Sequence, residues 1–159
     1  MSTLLPAAPP IILRHARPSD VPAIVRITAR ESDDACVPLT PAHVMRRLGG
    51  WIVACDAAGR IVGSVCLDRI GASRSELRSL VVVRRARGLG VGGQLVERVV
   101  RIATRAGLDL VCTTASPHFF ARYGFVQRPD EGTPSRHGRT DPRRVVMGLL
   151  VLNPTGAFA

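Results

Sequence analysis

Leu80-Val81-Val82-Val83-Arg84-Arg85-Ala86-Arg87-Gly88-Leu89-Gly90-Val91-Gly92-Gly93 is an apolar run that breaks into arginines and glycines. The run reads as a strand. The glycines read as a turn that opens a helix, because Val91, Leu95, Val96, Val99, Ile102, Ala103 and Ala106 then recur at helical spacing until Gly107. Glycines let backbone N–H groups approach an anion without a Cβ in the way, and a helix N-terminus adds partial positive charge. Three arginines beside the turn reinforce the preference for phosphate. The alternative is a tight strand-to-helix connection with no ligand. Gly88, Gly90 and Gly93 also satisfy G-x-G-x-x-G. A dinucleotide fold wants that turn early and an acid at the end of the next strand, and here the turn falls past mid-chain while Asp109 opens its strand.

Working outward, the pattern predicts a strand at 11–16, followed by a helix opened by Pro18-Ser19-Asp20 with Ser19 as N-cap. A second helix starts at Thr40-Pro41 and ends at Gly49-Gly50. Trp51 to Cys55 and Ile61 to Leu67 make a hairpin around Asp56-Ala57-Ala58-Gly59-Arg60, and Glu76 to Val83 is a central strand. Leu108 to Thr113 is a strand, Pro117 to Arg122 a short helix, and Gly124-Phe125-Val126 begins another strand. Residues 129–142 read as a loop and Arg144 to Leu152 as the closing strand. This order predicts an α/β (α+β) fold, a mixed and mainly antiparallel sheet of about seven strands with helices on both faces. The expected organisation is a flexible segment 1–10, a single domain 11–152 and a tail 153–159.

The chain has 159 residues, and all 22 of its basic residues are arginine against 12 acids, for a formal charge of +10. Its length suits one domain that hides roughly 70% of its unfolded surface without metal or disulfide staples. Without lysine there is no P-loop lysine, Schiff base or lysine base. The positive field favours a polyanionic partner. The four phenylalanines, one tyrosine and one tryptophan do not interleave with the arginines, which argues against a nucleic-acid surface. Apolar stretches of about 18 residues are missing, so no membrane span is expected. Cys36, Cys55, Cys66 and Cys112 show no ligand spacing with one another or with His15, His43, His118 and His137. Cys55, Cys66 and Cys112 lie in apolar runs and read as buried thiols of a cytoplasmic protein, with no metal site.

Arg87-x-x-Gly90-x-Gly92, the strand Ser75-Glu76-Leu77-Arg78-Ser79-Leu80-Val81-Val82 and the later Phe119-Phe120-Ala121-Arg122-Tyr123-Gly124-Phe125 together resemble the GNAT superfamily of N-acetyltransferases over about residues 11–128. Within it, the Glu76-Leu77-Arg78-Ser79-Leu80 strand and the run from Cys112-Thr113-Thr114 to Gly124-Phe125 look most like the short N-acetylglutamate synthases. Arsenical-resistance acetyltransferases share much of the pattern. The resemblance implies acetyl-CoA as co-substrate, with the amides of Gly88, Leu89, Gly90, Val91, Gly92 and Gly93 and the neighbouring Arg87 around its pyrophosphate. The backbone of Leu80, Val81 and Val82 would hold pantetheine and the acetyl group, and an N–H there aimed at the thioester oxygen would stabilise developing negative charge.

An ammonium acceptor must lose a proton before it attacks, so a base is required. Glu76 is the candidate, on the strand implied to hold the acetyl group and at the position relatives use; the alternative is a strand-edge pair with Arg74 or Arg78. Phe120 stands where the superfamily often has a tyrosine acid, and Tyr123 reads as core. A CoA thiol resembling cysteine, with a pKa of about 8.5, is a tolerable leaving group without that acid. Arg78 shares a strand face with Glu76 and is the candidate for the acceptor's carboxylate, which suits a bidentate arginine. Arg46 and Arg47 read as solvated. Val37-Pro38-Leu39 stands where the synthases carry an arginine-bearing segment. The expected acceptor is the amine of a small amino acid, glutamate or glutamine first. An arsenical amino acid, another xenobiotic amine or a peptide N-terminus are the alternatives. A CoA-binding sensor without turnover is a different class, and a homodimer is left open.

Overall fold

The computed structural model describes residues 10–31, 39–131 and 143–149. The expectations for 1–9, 32–38, 132–142 and 150–159, with Cys36, Val37, Pro38 and His137 among them, lie outside the described residues. Seven strands form one mixed sheet in the order β1-β2-β3-β4-β5-β7-β6. They are β1 Ile12–His15, β2 Trp51–Cys55, β3 Ile61–Arg69, β4 Arg74–Val82, β5 Asp109–Thr114, β6 Phe125–Gln127 and β7 Val145–Leu149. The helices are α1 Val21–Glu31, α2 Pro41–Arg46, α3 Val91–Arg105 and α4 Pro117–Ala121. The chain falls into two compact units, one of Met1–Val65 with Leu80–Leu95 and one of Cys66–Ser79 with Val96–Ala159.

In the first unit, β1 pairs antiparallel with β2 from Ile12↔Cys55 to His15↔Ile52. Val21, Ile24 and Ile27 bury one stripe of α1, as their spacing requires. The start of that helix corrects the sequence reading. Pro18–Asp20 is a 3₁₀ turn and Ser19 is not the cap. Asp20 does the work instead, accepting from the Arg17 N–H at 2.7 Å and from Arg14 at 2.6 and 3.0 Å. A charged acceptor shared by a guanidinium and a backbone N–H outcompetes a serine hydroxyl. Thr40 does cap α2, accepting from the His43 N–H at 3.2 Å, with Pro41 behind it. The helix stops at Arg46, and Leu48–Gly50 forms a 3₁₀ turn where its last residues were expected. Gly63 on β3 permits a close approach: a Cβ there would stand 3.1 Å from Leu95 Cδ1 and the Val81 carbonyl and 3.2 Å from Val91 Cγ1.

In the second unit, β4 and β5 run parallel from Arg74↔Asp109 to Leu77↔Cys112, and β7 pairs antiparallel with both β5 and β6. Leu110, Phe125 and Met147 are buried between the layers, and Phe120 packs edge-on against Phe119 and Phe125. Arg74, Asp109, Arg128 and Glu131 form an ionic network across the strand starts. Arg128 reaches Asp109 at 2.7 Å and Glu131 at 3.1 Å, and Arg74 pairs with Glu131 and lies 3.6 Å from Asp109. The Arg128 guanidinium lies where a Cβ of residue 148 would project, which explains glycine at Gly148.

One irregularity interrupts β4. Backbone bonds join Ile70 N–H to the Arg74 carbonyl and Val83 N–H to the Val62 carbonyl, so the step along β4 is one residue longer than the facing step on β3. Ser79 lies within it at φ 52°, the one left-handed non-glycine residue among the described residues. Extra residue and left-handed backbone together define a β-bulge, which re-aims the peptide groups around it.

Candidate active site

The glycine turn belongs to the first unit. Arg84–Ala86 is a 3₁₀ turn, and Gly88 and Gly90 take φ 76° and 78°, conformations that ordinary residues adopt only with strain. Neither glycine has another atom within 4 Å of where a Cβ would be, so the surface of the turn is open. The first bond into α3 runs from Gln94 N–H to the Gly90 carbonyl. The N–H groups of Val91, Gly92 and Gly93 open α3 and have no carbonyl within the helix to meet, as the start of a helix dictates. Such a row of donors at the positive end of a 15-residue helix suits a pyrophosphate. Arg84 and Arg85 are exposed beside it and carry no ion pair among the described residues.

Arg87 has a different place from the one the sequence suggests. Its guanidinium donates to the Val82 carbonyl at 3.0 Å, and to the carboxylate and carbonyl of Glu31 at 3.0 and 3.3 Å. It ties the end of β4 and the last residue of α1 to the turn, bracing the donors, with half of its side chain still exposed. Val81 and Val91 are buried, so only their backbone groups are available to a ligand, while Leu80 and Val82 are half-buried.

Glu76 and Arg78 belong to the second unit, and the structure brings them together with a residue the sequence reading missed. Asp68, near the end of β3, pairs with Arg78 at 2.5 Å, while Arg78 Nε lies 3.9 Å from Glu76 Oε2. Both acids are buried, with Asp68 8% and Glu76 6% exposed. Burial pushes the Glu76 carboxyl above its ordinary range. Arg78 opposes that shift, Asp68 adds to it and Arg74 opposes it. A carboxylate so raised binds a proton more firmly than a solvated one, which suits a base. The guanidinium of Arg78 is partly taken by Asp68, so an acceptor carboxylate meets only part of its fork. The signal for Asp68 was an acid inside an otherwise apolar strand, but its partner is fixed by strand pairing alone.

Phe120 is buried in the aromatic cluster, while Tyr123, expected in the core, is only half-buried, its ring tilted against Phe119 at 5.3 Å. His118, Arg46 and Arg47 are exposed. Cys55, Cys66 and Cys112 are buried thiols outside any disulfide among the described residues. A cleft of about 600 Å³ lined by Glu97, Arg101, Arg122 and Tyr123, among others, contains none of the expected site residues.

Residues 47–127 match the family described as the acetyltransferase (GNAT) domain. The chain belongs to the GNAT acetyltransferase family. It is an N-acetyltransferase, and acetyl-CoA is its acetyl donor. An amino-acid acetyltransferase of Mycobacterium tuberculosis is 30% identical over 77% of this chain and 71% of its own length. An uncharacterized N-acetyltransferase of Chlorobaculum tepidum is 28% identical over 83% of this chain and 85% of its own. Among solved structures, a Mycobacterium tuberculosis protein in complex with CoA and NLQ superposes with a TM-score of 0.76 at 25% identity, covering 89% of this chain and 99% of its own. The N-acetylglutamate synthase of Neisseria gonorrhoeae, complexed with CoA and N-acetyl-glutamate, shares the fold. Its TM-score is 0.74 at 18% identity, over 87% of this chain and 34% of the synthase.

Proposed function

We propose that this GNAT acetyltransferase acetylates the α-amino group of a small amino acid, glutamate or glutamine before others, with Glu76 as the base. The observation that carries the reading is Glu76 itself, a buried carboxylate of raised proton affinity with a guanidinium 3.9 Å away. The similarity to an amino-acid acetyltransferase at 30% identity supports the same acceptor class. Acetyl-CoA supplies an activated acyl group whose thiol is a competent leaving group at neutral pH. The N–H row of residues 88–93 and the exposed Arg84 and Arg85 hold its pyrophosphate in this reading. The backbone of Leu80, Val81 and Val82, just past the bulge, holds pantetheine and the acetyl group. Glu76 takes one proton from the acceptor's ammonium, freeing the nitrogen lone pair for the thioester carbon. Arg78 offers its remaining N–H edge to the acceptor carboxylate. The amide forms as the carbon–sulfur bond breaks, and the balance is one amide, one CoA thiol and one proton released. The reading takes residues 11–152 as one acetyltransferase domain, and the buried reduced cysteines support a cytoplasmic location.

Thiol release from acetyl-CoA, measured with glutamate, glutamine, their decarboxylated amines and a short peptide, tests the acceptor. The two amino acids are expected to react fastest. Equal rates with and without the α-carboxylate would overturn the acceptor class while leaving the acetyltransferase activity intact.

A further inference from the structure

We infer that Asp68 is a positioning residue of this site: it anchors Arg78 so that the guanidinium stands beside Glu76 without closing on it. The inference rests on the reading of Glu76 as base and adds a residue to it. One guanidinium faces two buried carboxylates. It touches Asp68 at 2.5 Å, within charged hydrogen-bond distance, and stands 3.9 Å from Glu76, outside that distance. The asymmetry matters because an arginine closing both prongs on a carboxylate lowers its proton affinity and occupies the oxygens that must receive the acceptor's proton. Arg78 NH1 is taken up by Asp68, and NH2 donates to no residue among those described, so one edge of the guanidinium remains for an acceptor.

The charge count agrees with that role. Two acids and one arginine leave the trio one negative charge in excess, which draws in an amine as its ammonium form. Among the groups that face Glu76 are Arg78 and Arg74 from its own strand, Asp68 from β3 and Cys112 from β5. Arg74 already serves Asp109 and Glu131, so Arg78 is the cation whose position decides the state of the base. Asp68 therefore acts on the reaction through Arg78 and need not touch either substrate.

The test uses the full chain with the panel acceptor that gives the fastest CoA release, and reads kcat and KM against pH for Asp68→Asn and Asp68→Glu. Removing the Asp68 charge withdraws a group that raises Glu76 and frees Arg78 to close on it, so both effects lower the proton affinity of the base. The acid limb of kcat is expected to move to lower pH by about one unit, and the plateau to fall about tenfold because a weaker base removes the proton less effectively. Acceptor KM is expected to rise, acetyl-CoA KM to stay constant, and Asp68→Glu to recover part of each change. Asp68→Glu keeps the buried charge and serves as the measured variant should Asp68→Asn fail to fold, with a smaller shift of the same sign. In an Arg78→Met background, Asp68→Asn is expected to add no further shift of the limb. An unmoved limb, or a uniform loss of activity that includes acetyl-CoA affinity, would overturn the inference. Glu76→Gln separates the two readings. If it keeps both kcat and the acid limb, the base assignment fails. If it loses both while Asp68→Asn leaves the limb in place, only the role of Asp68 fails.

Discussion

Two ionic clusters in the same unit are made of the same residue types and behave in opposite ways. Arg74, Arg128, Asp109 and Glu131 pair two cations with two anions. In that balanced set the Glu131 carboxyl is held below its ordinary range, by Arg74 first and Arg128 after desolvation has opposed it. Asp68, Arg78 and Glu76 set one cation against two buried anions, and there the Glu76 carboxyl is pushed up. The balanced cluster joins the starts of β4 and β5 to the chain beyond β6 and leaves Glu131 a poor proton acceptor. The unbalanced cluster has an acid ready to bind a proton. Burial separates the two acids: desolvation outweighs the nearby Arg78 at Glu76, whereas direct guanidinium hydrogen bonds outweigh it at Glu131.

The largest expected effect comes from breaking the unbalanced side. Glu76→Gln is expected to lower kcat by about a hundredfold or more, within the range for loss of a general base, with partial recovery at high pH where free amine is abundant. The same substitution is expected to raise Tm at pH 8. A carboxyl whose folded proton affinity is raised costs the native state stability when ionised. That cost is absent below the unfolded value of about 4.3 and grows as pH rises through the folded value. The Tm gain should therefore disappear by about pH 4. A loss of Tm at pH 8 would place Glu76 with the scaffold. Next in size, Arg128→Ala is expected to cost about 1–2 kcal/mol, a drop of several degrees in Tm, because Asp109 and Glu131 lose a partner that is only partly solvated. Its kcat and KM should match those of the unaltered enzyme. The smallest effect is that of Glu131→Gln, a Tm loss of a degree or so at neutral pH by the scale for exposed ion pairs. Its sign is opposite to that of Glu76. Stability from a lowered carboxyl is present above the unfolded value and is lost as pH falls through the folded one, so variant and parent should converge in acid. Thermal scans at pH 8, at pH 4 and at a more acid pH below the folded value of Glu131 read both signs in one series.

How far the sequence was legible follows the range of the interactions. The turn at 84–93 could be read because its chemistry is backbone N–H groups contiguous in the chain, and glycine is the residue that left-handed turns demand. Glu76 and Arg78 could be placed on one face because alternation along a strand is local. Asp68 could not, since it meets Arg78 only through pairing of β3 with β4. The bulge at Ser79 also shifts that pairing by one residue, and a serine gives no warning of a left-handed backbone. Ser19 lost the cap to Asp20 for a similar reason, because the Arg14 that strengthens Asp20 arrives from a strand. Arg87 was legible as part of a motif but not as a brace, since Glu31 lies far from it in the chain.

Cys112 lies opposite Leu77 in the parallel ladder, next to the Glu76 position, and its thiol is pushed up to about 12 by burial and by the Glu76 charge. At neutral pH only about one molecule in 10⁵ then carries the thiolate, the form that attacks acyl groups. A reactive cysteine beside the proposed base would otherwise invite transfer of the acetyl group onto the protein. Burial, with the proposed base Glu76 adding to it, keeps this sulfur protonated, so under the proposed reading the acyl group has one nucleophile to meet, and the kinetics should be those of a ternary complex rather than of an acylated enzyme.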